Sequence, residues 1–173
     1  MNPLTLRLAL ALALVAVMSM TTACGLNDFT DEIDTEFTIP KPKENIFGLE
    51  PYSKTKRFKL GSDPKDADKA EFTKARLSVL APANADLSFI DALEVYVEQE
   101  GQQPVLLADA EGFAPGERAR NLNVVYKGDI RGFVTDDRRV SLTWVVYPST
   151  FAPEWPEDGI QIRTEATVLI TVF

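Results

Sequence analysis

The chain shows the two-residue period of β-strands along much of its length. In VSLTWVVY, residues 140–147, alternate positions are large and apolar, and the final run at 160–173 alternates in the same way. Side chains of a strand point to its two faces in turn, so the pattern predicts strands with one buried face. Trp144 lies on the apolar face and is expected in the core. The final run is long for a small domain, so we expect a bulge or bend within it.

Shorter segments between Gly- and Pro-rich turns also have strand character. They are EFTIP at 36–40, KRFKL at 56–60, ALEVYVE at 92–98, PVLLAD at 104–109 and NLNVVYK at 121–127. The one helix-like stretch is 63–77, where Asp63 is a candidate N-cap before Pro64; a helix there is expected to be short and to give way to a strand near Thr73. ADLSFIDAL, 85–93, suggests a single helical turn. Together these signals predict an all-β fold, an antiparallel β-sandwich with at most one or two short helices.

A different pattern occupies the N-terminus. A short basic start precedes the apolar run LALALALVAVMSM at 8–20, and the small residues TTA follow at 21–23. This order is that of a secretory signal peptide, and the run is shorter than the about 20 residues of a spanning helix. Cys24, the only cysteine in the chain, comes next. A lone thiol is unusual on an exported chain, because export compartments are oxidising.

The sequence TTAC, residues 21–24, resembles the lipobox of bacterial lipoproteins, although Thr21 stands where the family usually has Leu. The resemblance implies that residues 1–23 are removed and that Cys24 carries acyl chains such as palmitate, which anchor the protein in a membrane of the bacterial cell envelope. Gly25 after the cysteine favours sorting to the outer membrane by the same resemblance. Several chains on one residue make a lasting anchor, since each buried CH₂ contributes about 0.8 kcal/mol.

Length and charge limit the remaining possibilities. Residues 24–173 have the length of one ordinary domain. We predict a signal peptide at 1–23, a lipidated N-terminus and acidic tether at 24–36, and one β-sandwich domain at 37–173. The net charge is −8, and removal of the leader, whose one charged side chain is Arg7, makes it more negative. Nucleic acid is not an expected partner, because phosphate neutralisation supplies most of the affinity of such binding.

The composition also removes most catalytic chemistry. The chain has no histidine, so the usual general base and imidazole metal ligands are missing. Two sets of carboxylates remain as candidates for a glycosidase: Asp91 with Glu94, and Glu154 with Glu157 and Asp158. A small sandwich offers little room for the cleft that such a pair needs. We therefore predict a protein that is not an enzyme and that uses no cofactor and no metal.

The most site-like segment is the loop YPSTFAPEWPEDG at 147–159, which carries Phe151 and Trp155 among prolines and acids. Aromatic side chains on a loop can anchor a partner, and they can equally close the open end of a sandwich. Phe151 and Trp155 are our candidate partner-binding residues. The predicted function is a lipid-anchored, non-catalytic binding or assembly module with an envelope protein as partner. The alternative is a carrier of a lipid or other apolar ligand between the sheets.

Overall fold

The computed structural model describes residues 27–45, 48–61, 64, 66–99, 101–152 and 154–172. The predicted signal peptide and Cys24 lie outside these residues. The strands are β1 (Asn27–Ile39), β2 (Glu44–Asn45), β3 (Gly48–Leu49), β4 (Tyr52–Lys59), β5 (Lys69–Ala81), β6 (Ile90–Glu98), β7 (Val105–Glu111), β8 (Ala119–Asn121), β9 (Asn123–Val124), β10 (Arg139–Pro148) and β11 (Ile160–Val172). Two single-turn 3-10 helices span Leu87–Phe89 and Arg131–Phe133.

These strands form two antiparallel sheets, which confirms the predicted all-β sandwich. One sheet has the order β1-β11-β5-β8 and the other β4-β10-β6-β7-β9, while β2 and β3 form a small separate hairpin. The inward side chains of both sheets make one apolar core. Trp144 is 2% exposed, and its ring contacts Phe37 and Phe58 at centroid distances of 5.7 and 5.8 Å. The prediction that Trp144 lies in the core is confirmed.

β11 is one of the two inner strands of the four-stranded sheet and lies between β1 and β5. Its alternate residues Ile160, Ile162 and Val168 are buried, as the period-two pattern predicts. Its register with β5 shifts after Gln161 and again after Thr167. Shifts of this kind bend and twist a strand, so they allow a long strand to follow a small core. The expected irregularity within the final run is confirmed.

The acidic tether predicted at 24–36 is wrong for residues 27–36, which belong to β1. This edge strand pairs with β11 from Asn27↔Val172 to Ile39↔Ile160. Ile33 is 4% exposed, and the acids on either side of it point outward. The acidic residues of this segment are therefore the polar face of an amphipathic strand, and the sandwich includes the segment.

The short helix predicted before Thr73 is also wrong over the residues that the structure describes, whereas the strand predicted from about Thr73 onward is confirmed. β5 begins at Lys69, and it buries Ala70, Phe72 and Ala75 against the opposite sheet. Pairing with β11 fixes the extended conformation, because β11 supplies backbone partners along this segment. By contrast, the helical turn expected within 85–93 is present at Leu87–Phe89.

The two ends of the sandwich are defined by β1. We call the end at Asn27 the proximal end and the end at Ile39 the distal end. Three connections meet at the distal end, namely residues 81–91, 111–118 and 148–159. Backbone hydrogen bonds join them, from Leu87 N–H to Glu117 O at 2.7 Å and from Ser149 N–H to Phe89 O at 2.9 Å. The predicted site loop therefore lies at the end of the domain opposite its N-terminus.

Candidate functional site

The late loop at 149–159 is fixed at both ends and presents Phe151 between them. Ser149 is buried, and its hydroxyl accepts the backbone N–H of Phe151 at 3.2 Å. At the other end Gly159 has φ 77°, and a Cβ there would lie 2.2 Å from the carbonyl oxygen of Ile39, so the turn requires glycine. Phe151 is 94% exposed. A large apolar side chain thus stands in solvent on a loop whose ends are held.

The structure separates the two aromatic residues that the sequence proposed together. Trp155 is only 8% exposed and packs edge-on against Phe89, with ring centroids 5.4 Å apart. Within the part of the chain that the structure describes, its indole Nε1 has no hydrogen-bond partner. Trp155 therefore closes the distal end of the core, which is the alternative that the sequence left open. Phe151 is the member of the pair that solvent can reach.

Facing Phe151 is the loop at 112–118, which Arg118 attaches to the segment before the first 3-10 helix. Arg118 donates from Nη1 to the carbonyl oxygens of Ala83 at 2.6 Å and Ala85 at 2.5 Å, and from Nη2 to that of Val79 at 3.1 Å. A guanidinium presents its donors in a rigid planar fork, which suits several carbonyls at once. Arg118 thus holds two segments of the site together, and its guanidinium donors are occupied by backbone carbonyl groups.

Asp86 fixes the same junction from the other side. One carboxylate oxygen of Asp86 accepts both the backbone N–H of Ser88 at 2.8 Å and the Ser88 hydroxyl at 2.5 Å. The other oxygen accepts the backbone N–H of Gly116 at 2.6 Å. Burial opposes ionisation of Asp86, but these hydrogen bonds and the charge of Arg118 outweigh it and hold its pKa below the ordinary 3.8. Asp86 is therefore an anion at neutral pH.

A second arginine supports the aromatic residue of this loop. Arg120 lies over the ring of Phe113, with Cζ 4.7 Å from the centroid. It also donates to Glu117 from Nε at 2.6 Å and from Nη2 at 2.5 Å. The hydrogen bonds from Arg120 lower the pKa of Glu117, and the N–H of Ala114 adds to the effect. The charge of Arg120 is thereby paired, and Phe113 is held in place.

Between the two loops lies an open cavity of ≈ 500 Å³, which we call the distal pocket. Its size falls in the range of about 300–1,000 Å³ that is usual for ligand sites. The side chains around it are Ile90, Phe113, Pro115 and Phe151, and the polar Asp86, Ser88, Asp91 and Ser149. Among the described residues no Lys or Arg lines it. The pocket is thus an apolar hollow with a negative rim.

The carboxylates considered for a glycosidase lie in different surroundings. Glu94 accepts the hydroxyls of Tyr96 at 3.0 Å and Tyr147 at 2.9 Å, and its hydrogen bond raises the pKa of Tyr147. Glu94 and Asp91 line different cavities. Glu157 pairs with Lys41 at 2.6 Å. The described residues contain no group of acidic, Cys or His side chains that could hold a metal ion.

A further cavity of ≈ 620 Å³ lies across the four-stranded sheet. Its wall includes the apolar Ile33 and Leu122, and it also includes charged residues on three strands: Glu32, Asp34, Lys74, Arg76 and Glu165. A carrier of a lipid needs a cavity lined mainly by apolar side chains. The mixed wall is unlike such a cavity, and the ligand-carrier alternative stays a prediction. No helix within the described ranges is long and apolar enough to cross a membrane.

Comparisons with known proteins do not place the chain in a family. No family model matches the sequence, and no curated protein matches it. A solved chain titled Desmodium yellow mottle tymovirus aligns with a TM-score of 0.38 and 6% sequence identity, over 87% of this chain and 90% of that chain. A structural likeness at this level supports no inference about function, so the function is argued from the residues of this chain.

Proposed function

We propose that the protein is a lipid-anchored, non-catalytic binding module of the bacterial cell envelope, held at the outer membrane by acyl chains on Cys24. The order of the leader and the position of the lone cysteine support the anchor. One structural observation supports the binding role. Phe151, 94% exposed, borders the distal pocket on a loop whose ends are fixed. Its partner would be another envelope protein.

The position of the first strand is consistent with such an anchor. Cys24 precedes Asn27 by three residues, which span at most about 11 Å when fully extended. The proximal end of the sandwich would then lie next to the bilayer. β1 has 13 residues and extends about 40 Å towards the distal end. The distal pocket would therefore face away from the lipid, where a partner can reach it.

The chemistry of the distal pocket favours binding over catalysis. A glycosidase acid needs a raised pKa so that it keeps its proton until it is used. The pKa of Asp86 is lowered instead, and its two oxygens already accept three hydrogen bonds. The chain has no histidine to act as a general base in place of a carboxylate. The pocket has the features of a recognition surface.

Mass spectrometry of the protein extracted from membranes tests the anchor. We expect a chain that starts at Cys24 and carries the added mass of a diacylglycerol and a fatty acid. Cys24→Ser should accumulate as an uncleaved precursor or appear in the soluble fraction. An unmodified Cys24 thiol, or a retained leader on the membrane-bound protein, would refute the anchor.

Recovery of partners tests the binding role. Mild cross-linking of intact cells, followed by purification, should recover an envelope protein with the natural chain. Phe151→Ser should reduce the recovery strongly and leave the free energy of unfolding unchanged, because this side chain is almost fully exposed. Phe29→Ser is the matched control, since Phe29 is 48% exposed at the proximal end. Equal recovery with Phe151→Ser and the natural chain would contradict the proposal.

A further inference from the structure

The apolar part of the distal pocket has two layers. Ile90 and Phe113 are 2% and 9% exposed, so they form its buried surface, while Pro115 and Phe151 are exposed beside it. Phe113 is also held from behind by Arg120. Because the surrounding loops are fixed by hydrogen bonds, a ligand would not have to order them, and the entropic cost of binding is low. The hollow is suited to an apolar side chain.

The charge at the pocket is negative, because the carboxylates at the site outnumber the cations beside it. Asp86 is ionised, and Asp91 is exposed at the rim. The charge of Arg118 acts on Asp86, and Arg120 is paired with Glu117, so the carboxylate of Asp91 is the negative charge left at the rim. The whole chain carries a net charge of −8, which favours cationic over acidic partners in general. Such a field attracts cations and repels acidic ligands.

We infer that the distal pocket binds a cationic segment of a partner protein, in which an apolar side chain lies next to Lys or Arg. The inference rests on the proposed function, because it names the chemistry of the partner that the distal end would meet. The apolar side chain fills the space between Phe113 and Phe151, and the neighbouring cation pairs with Asp91. A small inorganic cation would make no use of the apolar walls, and an acidic peptide would be repelled by the carboxylates of Asp86 and Asp91.

Three labelled peptides of equal length test this inference by fluorescence anisotropy at low ionic strength. The first has the sequence GSKLFKSG, the second replaces both Lys by Glu, and the third replaces Leu-Phe by Ser-Ser. The protein is the full-length gene product purified in a mild non-ionic detergent, so the assay does not depend on how Cys24 is processed. We expect the first peptide to bind at least about tenfold more tightly than either of the others, because it alone satisfies both parts of the pocket.

Variants of the protein assign the two contributions. Phe151→Ser should weaken binding of the first peptide by about tenfold or more, as expected for an aromatic anchor. Asp91→Asn should weaken it by about two- to fivefold, the range of an exposed ion pair, and this effect should disappear at high salt. Phe29→Ser and Asp28→Asn at the proximal end are the matched controls and should leave the affinity unchanged.

Several results would overturn the inference. They are the absence of binding at about millimolar peptide, equal affinity for the Lys and Glu peptides, and an affinity that Phe151→Ser does not change or that Phe29→Ser lowers equally. The outcome is separable from the proposed function. Partner recovery that depends on Phe151, together with no binding of the peptides, would keep the binding role and reject the cationic partner. Peptide binding by a protein without a lipid would reject the anchor alone.

Discussion

The hydroxyl of Ser149 accepts the backbone N–H of Phe151 at 3.2 Å, and this contact joins the core to the most exposed large apolar side chain among the described residues. Ser149 itself is buried and donates its own N–H to Phe89. The position of Phe151 is therefore set by a local hydrogen-bonded turn, and a backbone that is already ordered loses little entropy when the loop binds a partner.

Removal of the Ser149 hydroxyl tests this turn. We expect Ser149→Ala to lower the free energy of unfolding by about 0.5–1.5 kcal/mol, the usual value of one hydrogen bond. The amide of Phe151 should also exchange its hydrogen faster, because its acceptor is lost. Ser53→Ala, at an exposed position of β4, is the control. Unchanged exchange at Phe151 would show that the turn is held by something else.

Trp155 should tolerate the loss of its indole nitrogen but not of its ring. Its Nε1 has no partner within the described residues, while its ring packs on Phe89. We expect Trp155→Ala to cost about 3–5 kcal/mol, and Trp155→Phe to cost clearly less, since it keeps an aromatic ring and removes an unpaired polar group. Urea unfolding measures both. If Trp155→Phe lowers the free energy of unfolding as much as Trp155→Ala does, the aromatic ring of Trp155 does not stabilise the distal end of the core by apolar packing.

The contribution of Asp86 should depend on pH. Its pKa is lower in the folded protein than the ordinary 3.8, so its stabilisation is present above about pH 4 and is lost as the pH falls through the folded pKa. At pH 7 we expect Asp86→Asn to lower the free energy of unfolding by about 1.5–3 kcal/mol, the range for hydrogen bonds to a charged group. The difference from the natural protein should shrink below about pH 4. A difference that is constant between pH 7 and pH 3 would contradict this account.

The assignment of 27–36 to β1 can be tested by one core substitution. Ile33 is 4% exposed, and Ile→Ala in a core costs about 2–5 kcal/mol. We expect a cost in this range for Ile33→Ala, measured by urea unfolding, whereas Thr30→Ala on the same strand should have little effect because Thr30 is exposed. If both substitutions have equally small effects on the free energy of unfolding, the assignment to β1 is contradicted and the interpretation of this segment as a tether is supported.

Sequence reasoning succeeded where one strand face is strongly apolar. Trp144 and its neighbours on β10 show the period directly, and so does β11. It failed for β1, because Glu32, Asp34 and Glu36 dominate the composition and hide the buried positions between them. It also failed at 69–72, where pairing with β11 overrides helix-forming residues, although the strand from about Thr73 onward was predicted. Local signals describe one strand at a time, and they do not report which strand will pair with it.

The distal pocket was predictable only in part. The loop carrying Phe151 has an evident composition, with aromatics among prolines and acids. Asp86 and Phe113 come from two other segments, and the sandwich topology brings them to Phe151. No short-range sequence pattern predicts that Arg118 holds these segments together by donating hydrogen bonds to their backbone carbonyl groups. The exposure of Phe151 and the burial of Trp155 depend on that assembled surface.

Site-specific photo-cross-linking in intact cells tests the central claim most directly. A photoreactive amino acid is placed at Phe151, at Thr38 on the outer face of the distal part of β1, and at Thr30 near the proximal end, all exposed positions. We predict that position 151 gives a discrete cross-link to an envelope protein, and that positions 38 and 30 do not give it. The cross-link should also weaken when Asp91→Asn is added. Cross-linking of the same partner from position 30 but not from position 151 would contradict the account, because contact would then occur at the proximal end.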